Sequence, residues 1–326
     1  QAEAVIDLIN AKGERALAAA NQQLRGSLRR HMQTLVDGVV GVLAQIEAYI
    51  DFPDEDLPPE DGFALQTKLC ELVKQAEGLL TTEHYGAQLR QGLRTVIIGE
   101  TNAGKSSIMN RLLGRERALV SPDPGTTRDY LEEPAIIGSH YLRLVDTAGL
   151  NPNPSSLERH GIERTIEQAS LADLFVWVLD ANKPSPSLPA EIDIKMHRKN
   201  TIGVINKSDL DPLGRFSPPL RFEYVRVSAK HGTGFDVFVE LIDSLASTGQ
   251  KDTGNDVIAI NARHAFALGE AIKSLRSSFN MLINNGLREL IACELRFALH
   301  HLSDIVGNVE RVDVIDQIFA RFCIGK

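Results

Sequence analysis

A glycine-containing turn follows directly after a short apolar run in the first half of this chain. Residues 99–106 read G-E-T-N-A-G-K-S, and they follow Leu93–Ile98, which has the composition of a buried strand. In such a turn the backbone N–H groups can close on an anion, and the helix that follows adds the positive end of its dipole. The sequence therefore predicts a strand, a phosphate-binding loop and a helix in this order.

Several residues of this loop are predicted to contact phosphates or their counter-ion. Gly104 lets the backbone approach the phosphates, Lys105 reaches the β and γ phosphates, and the Ser106 hydroxyl ligates Mg²⁺. Ser107, the next residue, is assigned to the same nucleotide site. The loop predicts that a nucleotide binds but does not say which one.

The apolar pattern changes twice along the 326 residues, a length sufficient for two or three domains. Residues 1–91 show helical spacing that a proline-rich stretch at 52–61 interrupts, and residues 249–326 return to helical spacing. Residues 92–248 alternate β-rich runs with helices, which predicts a mixed, mostly parallel α/β domain inserted into an all-α domain. The predicted strands are Leu93–Ile98, Tyr141–Asp146, Phe175–Asp180, Thr201–Asn206 and Tyr224–Ser228.

Composition narrows the setting in which this chain works. Its three cysteines, Cys70, Cys293 and Cys323, are far apart, which argues against a disulfide framework and for the reducing cytoplasm. No apolar stretch approaches the roughly 20 residues that span a bilayer, so no membrane association is expected. The net charge of −8 gives no general attraction for nucleic acid. Any RNA contact requires a local patch, and the basic cluster at 25–31 is either such a patch or a solvated helix face.

Two further segments supply the predicted magnesium and γ-phosphate contacts. Asp146 begins the sequence D-T-A-G at a strand end, where its carboxylate can hold the Mg²⁺ shell and the Gly149 N–H can contact the γ-phosphate. Thr126 and Thr127 lie between the phosphate-binding loop and that strand, in P-G-T-T-R-D. A switch segment at this place supplies a second hydroxyl to Mg²⁺, here from Thr127, and a plain turn is the alternative.

The base is predicted from two more strand ends. Asn206, Lys207 and Asp209 belong to the sequence N-K-S-D, in which a carboxylate can accept the N1 and N2 protons of guanine. The lysine stem can cover the face of the ring. Ser228, Ala229 and Lys230 follow the next apolar run, where the Ala229 N–H can donate to guanine O6. Together with the phosphate-binding loop, these elements predict a Ras-like P-loop GTPase domain.

The residues expected to drive hydrolysis differ from the usual pattern. Ras-like GTPases commonly carry a water-orienting glutamine after the D-x-x-G element, but Leu150 stands at that position. Glu158, at the start of the predicted helix Leu157–Ala169, carries a carboxylate that can organise the attacking water. The alternative is an exposed glutamate that is favoured by its place at a helix N-terminus.

Asn102 is the second unusual residue of the site. Its side-chain carbonyl can turn toward the phosphates and, with backbone carbonyls of the loop Ser121–Thr126, hold a monovalent cation. An ion of potassium size there would supply the positive charge that an arginine finger supplies in other GTPases. A local Asx turn is the alternative.

The chain ends in F-C-I-G-K at Phe322–Lys326, a motif specific to one family. With N-A-G-K-S, G-T-T-R-D and the helical flanks, it makes the whole chain resemble the MnmE family, also called TrmE, of tRNA-modifying GTPases. That family carries an N-terminal dimerisation and folate-binding domain, which this sequence lacks. Because the chain also begins without Met, we expect that an N-terminal segment is missing. A folate one-carbon donor is therefore implied for the full-length protein only.

The resemblance implies a K⁺-stimulated GTPase whose nucleotide domains meet across a homodimer. It implies that Glu158 orients water and that Cys323, which matches the family's essential terminal cysteine, acts on the one-carbon intermediate. A flavoprotein, MnmG or GidA, is the implied partner, and the implied reaction adds an aminomethyl-type group at C5 of the wobble uridine of certain tRNAs. The implied potassium ligands are Asn102, Ser121, Asp123 and Thr126.

Two other functions remain open from the residues alone. A ribosome-assembly GTPase of the Era or EngA type shares most of these motifs, but its flank is a KH-type RNA-binding domain rather than helices. A helical scaffold with a degenerate nucleotide site is the second alternative, which the intact Lys105 and Asp146 argue against. Without the resemblance, Cys323 reads as a small buried residue near a chain terminus.

Overall fold

The structure is a computed structural model that describes residues 2–51, 62–116, 132–151, 156–218, 221–248 and 259–306. The chain divides into two compact units. One contains residues 1–8, 18–87 and 253–326, and the other contains residues 9–17 and 88–252. An α/β unit is thus inserted into a helical one, which confirms the predicted fold class.

The second unit is built on a six-stranded sheet in the order β2-β3-β1-β4-β5-β6. Only β2 is antiparallel to its neighbour, and every other pairing is parallel. All residues of β4 and β5 are buried, as expected for strands that are covered on both faces. The strands are β1 (Leu93–Gly99), β2 (Glu132–Ile137), β3 (His140–Asp146), β4 (Leu174–Asp180), β5 (Thr201–Asn206) and β6 (Glu223–Arg226).

Helices cover both faces of this sheet, and side chains alternate between two cores. Ile97 of β1 joins a core with residues of α6 and α9, whereas Val96 and Ile98 join a second core with residues of α7 and α8. This alternation follows from the two-residue period of a strand. The helices are α6 (Lys105–Glu116), α7 (Ser156–Ser170), α8 (Ala190–Asp193) and α9 (Phe235–Thr248).

The first unit packs around α3, α4, α10 and α11, which share one apolar core. In α3 the fully buried Met32, Leu35, Val39 and Leu43 recur at the spacing of one helix face. Two ion pairs bind helices of this bundle to each other, Arg296–Glu47 and Arg276–Glu77, both at 2.6 Å. The other α-helices of the described residues are α1 (Ala2–Ile9), α2 (Glu14–Leu24), α3 (Ser27–Asp51), α4 (Gly62–Leu80), α5 (Thr82–Gln91), α10 (Ala262–Ile283) and α11 (Arg288–Val306). Of these, α1, α2 and α5 each have some residues that belong to the α/β unit, namely 9, 14–17 and 88–91.

The structure differs from the sequence prediction at three places. Strand β2 was not predicted, and β6 covers Glu223–Arg226 rather than Tyr224–Ser228. Residues 9–17 belong to the α/β unit rather than to the helical unit. They are held there by Arg15, whose guanidinium donates to Ser139 Oγ and Ser247 Oγ, both at 3.1 Å. Among the described residues, no helix is both long and apolar enough to cross a membrane.

Candidate nucleotide-binding site

Predicted site residues in the described part of the chain lie close together because their segments leave the same edge of the sheet. In the sheet, β3 lies on one side of β1, and β4, the next strand in the chain, lies on the other side of β1. The strand order therefore reverses at β1, which is the topological switch point. In open α/β sheets, ligands bind in the crevice at the carboxyl ends of the strands at this point. The residues that follow β1, β3, β5 and β6 all lie at this edge, because these strands are parallel.

The phosphate-binding loop after β1 has little room for side chains. A Cβ at Gly99 would collide with the Val178 carbonyl, and one at Gly104 would collide with the Asn206 amide. Gly104 has a φ of 97°, and Asn102 has a φ of 66°, in the left-handed region that asparagine tolerates better than most residues. The local sequence therefore permits a backbone path that most other residues would oppose.

Lys105 folds back over the loop that it follows. Its ammonium donates to the carbonyls of Gly99 and Glu100, at 3.2 and 3.0 Å. The side chain is largely buried, and this burial lowers the pKa of Lys105, although the nearby Asp146 charge opposes the effect. A phosphate bound in the loop would offer this ammonium a strong, charged acceptor.

Two of the predicted magnesium ligands, Ser106 and Asp146, belong to the described part of the chain, and they lie in direct contact. The Ser106 hydroxyl donates to Asp146 Oδ2 at 2.6 Å. The other carboxylate oxygen, Asp146 Oδ1, is buried and has no hydrogen-bond partner among the described residues. A hydroxyl beside a carboxylate with a spare oxygen is a donor set that suits Mg²⁺, so these residues fit the ion.

The segment after β3 packs tightly against the phosphate-binding loop. A Cβ at Gly149 would lie 2.7 Å from the Thr101 Cα, and the Leu150 N–H donates to the Gly99 carbonyl at 3.0 Å. Thr147 Oγ1 donates to the Ile97 carbonyl at 2.7 Å. The Leu150 side chain is buried in the apolar core and therefore points away from any attacking water.

Asn206 joins the phosphate-binding loop to the loop after β6. Its Nδ2 donates to the Ala103 carbonyl at 2.8 Å, and its Oδ1 accepts the Ala229 N–H at 3.0 Å. The side chain is almost fully buried. Its amide is thus engaged within the protein, and the Ala229 N–H that we predicted to meet guanine O6 already donates to Asn206.

The remaining base-site residues are held by short polar contacts. Lys207 has a φ of 62° and donates to Asp180 Oδ2 at 2.7 Å. Burial alone would raise the pKa of Asp180, but the hydrogen bonds from Lys207 and Asn182 outweigh it and lower that pKa. Asp209 Oδ1 accepts the Ser228 hydroxyl at 2.5 Å, and this bond lowers the pKa of Asp209. Both carboxylates are therefore ionised at neutral pH.

Part of the predicted site lies outside the described residues. This holds for both switch threonines, for three of the four proposed potassium ligands, since Thr126 belongs to both sets, and for the terminal cysteine, namely Thr126, Thr127, Ser121, Asp123 and Cys323. Glu158 lies in the first turn of α7, and the structure describes its backbone but not its side chain. Ser107 and Lys230 are both exposed.

Two site residues were missed by the sequence reasoning. Asp180, at the end of β4, holds Lys207, and its place at a strand end beside the site was an available signal. Arg111, in α6, donates to the carbonyls of Ala229 and Lys230. Nothing in its local sequence indicates that contact, because its partners lie more than a hundred residues away.

The sequence of this chain is similar to a known protein family. The family profile described as "MnmE helical domain" matches residues 1–323. The tRNA modification GTPase MnmE of Opitutus terrae is 50% identical over 333 residues, which cover 100% of this chain and 73% of that protein. The protein of the same name from Akkermansia muciniphila is 40% identical over 330 residues, which cover 100% of this chain and 72% of that protein.

Two solved structures are similar to part of this chain. The G domain of the Thermotoga maritima FeoB iron transporter is 22% identical, with a TM-score of 0.33, and covers 48% of this chain and 99% of that one. A variant of Aquifex aeolicus Era bound to GDP·AlF4⁻ is 26% identical, with a TM-score of 0.34, and covers 56% and 66% respectively. The family match and the two relatives, each aligned over the whole of this chain, show that this chain belongs to the MnmE family of tRNA modification GTPases.

Proposed function

We propose that this GTPase of the MnmE family binds Mg²⁺ and GTP at the carboxyl edge of its sheet and is the GTP-hydrolysing subunit of a complex that modifies tRNA. The observation that carries the proposal is the double contact of Asn206, which joins the phosphate-binding loop to the loop after β6, Ser228–Lys230, here named the guanine loop. Ser106 and Asp146 would hold Mg²⁺, and the ion would offset charge on the phosphates. Asp209 would read the guanine edge.

Hydrolysis in this proposal depends on groups other than the usual glutamine. Leu150 is buried and cannot orient water, so Glu158 at the N-terminal turn of α7 takes that role. Asn102, with its left-handed backbone, would present its carbonyl to a potassium ion that Ser121, Asp123 and Thr126 complete. The cation would stabilise the charge that develops between the β and γ phosphates. Closing this site would bring two copies of the domain together as a homodimer.

Family membership supports a proposal for the wider assembly. The substrate would be the wobble uridine of certain tRNAs, modified at C5 together with the flavoprotein MnmG, also called GidA, in the cytoplasm. Cys323 would act on a one-carbon unit that a folate carries in the full-length protein. GTP hydrolysis would then gate the approach and separation of the two nucleotide domains during that reaction.

The test of the potassium site is GTP turnover in KCl and in NaCl at equal ionic strength. We expect faster turnover in KCl. The matched variant is Asn102→Gly, because glycine accepts the φ of 66° and removes only the side-chain carbonyl. This variant should bind GDP normally and should turn over GTP at the same rate in both salts. Equal wild-type rates in KCl and NaCl would remove the cation from the proposal.

A further inference from the structure

We infer that Arg111 is a positioning residue for guanine binding, since it joins the loop Ser228–Lys230 to α6, the helix that follows the phosphate-binding loop. The inference rests on the proposed binding of GTP. Arg111 Nε donates to the Ala229 carbonyl at 2.9 Å, and Arg111 Nη2 donates to the Lys230 carbonyl at 3.1 Å. One planar guanidinium thus holds two successive peptide groups.

The loop is shaped to receive this guanidinium. Gly232 has a φ of 82°, and a Cβ there would lie 2.8 Å from Arg111 Nη1, so the backbone approaches the guanidinium more closely than a side chain would permit. On the other side, the guanidinium carbon lies 5.7 Å from the centre of the Phe235 ring, within the range of a cation–π contact. The apolar and polar contacts together fix the rotamer of Arg111.

The alanine at the centre of this loop is held from two sides. Its N–H donates to Asn206, and its carbonyl accepts from Arg111. Because a trans peptide directs its C=O and N–H in opposite directions, a fixed Ala229 carbonyl also fixes the direction of the Lys230 N–H. The Lys230 N–H, next to the Ala229 N–H that Asn206 engages, is therefore oriented before a base arrives, and this preorganisation lowers the entropic cost of binding.

Arg111 also connects the two halves of the site. It lies in α6, whose first residue is Lys105, so the guanine loop and the phosphate-binding loop are carried by one rigid element. Loss of Arg111 should leave the phosphate contacts unchanged and should loosen the guanine loop. The expected effect is faster nucleotide release, since most differences in affinity between related complexes lie in the dissociation rate.

The experiment measures dissociation of fluorescent GDP, GTP and ITP from the whole chain by stopped flow. Arg111→Ala should release GDP and GTP roughly tenfold faster, as expected for loss of a charge-assisted pair of hydrogen bonds. The ratio of GTP to ITP affinity should not change, because the 2-amino group that distinguishes them meets Asp209 rather than this loop. Asp209→Asn, in contrast, should change that ratio.

Two further variants separate positioning from general stability. Arg111→Lys keeps the positive charge but cannot span two carbonyls, so its release rate should lie between those of wild type and Arg111→Ala. Arg198→Ala removes another arginine whose Nε donates to a backbone carbonyl, that of Arg221 at 3.3 Å, before β5 and away from the site. This control should release nucleotide at the wild-type rate.

Each outcome decides the inference. Wild-type release rates in Arg111→Ala would overturn it, and so would a wild-type rate in Arg111→Lys, which would show that the double contact is not needed. An altered ratio of GTP to ITP affinity in Arg111→Ala would also contradict the assigned role. If the wild-type chain binds none of the three nucleotides, the proposed function itself fails and the inference fails with it.

Discussion

Asn206 offers a quantitative test of how the two halves of the site are held together. Replacing it with alanine removes one hydrogen bond to the Ala103 carbonyl, at 2.8 Å, and one from the Ala229 N–H, at 3.0 Å. Each such bond contributes about 1 kcal/mol net, and a buried group left unpaired costs about 1–3 kcal/mol. Because the side chain is only 2% exposed, water cannot fully replace it. We therefore expect Asn206→Ala to lower the free energy of unfolding by about 2–4 kcal/mol.

The chain carries a natural probe for this measurement. Its single tryptophan, Trp177, is buried in β4 of the same unit, so tryptophan fluorescence in urea reports unfolding of that unit. With an m-value of about 2 kcal/mol/M, the midpoint should fall by about 1–2 M. Asn182→Ala, which removes only a 3.4 Å contact to Asp180 from the side-chain nitrogen, should move the midpoint much less. An unchanged midpoint in Asn206→Ala would refute the bridging role.

Three other predictions concern hydrolysis, pH and the terminal cysteine. Glu158→Ala should abolish GTP hydrolysis and spare GTP binding, and normal turnover in that variant would contradict the water-orienting role. Hydrogen bonds from Arg226 and from two backbone N–H groups lower the pKa of Asp211 to about 2 from 3.8, so the stabilisation from this carboxylate is complete above pH 3.8 and is lost as pH falls through about 2. Carboxyl NMR titration should show this midpoint, and Arg226→Ala should raise it; an ordinary pKa in the wild type would exclude the contact. Cys323→Ser should keep GTPase activity and lose wobble-uridine modification in a reconstituted system, whereas normal modification would make Cys323 a packing residue.

The elements that were predicted correctly depend on local sequence. The phosphate-binding loop lies within eight consecutive residues that follow an apolar run, so the strand before it and the helix after it could be placed from the sequence. The buried β4 and β5 are continuous apolar segments, which made both strands easy to place. The family resemblance, which depended on short motifs at several points of the chain, is confirmed by the comparisons.

The features that could not be predicted from the sequence depend on contacts between distant residues or on segments in which polar and apolar residues are mixed. Strand β2 begins Glu132-Glu133-Pro134 and is half-buried at the sheet edge, so it lacks the apolar signal of the central strands. The early helices break at Gly13 and at Gly26, where φ reaches 81°, although the apolar pattern around them continues. Arg111 contacts residues that precede α9 while lying in α6, and only the folded chain brings these together. For Asn206 the residue type pointed to base recognition, whereas its observed contacts are to backbone.

In our proposal this GTPase serves the modification of tRNA. Mass spectrometry of wobble uridines from cells that lack the gene for this chain is the decisive experiment, with the wild-type gene and a Lys105→Ala gene returned in parallel. We predict that the C5 modification is lost in the deletion, restored by the wild-type gene and not restored by the variant. Unchanged C5 modification in the deletion strain would contradict the account.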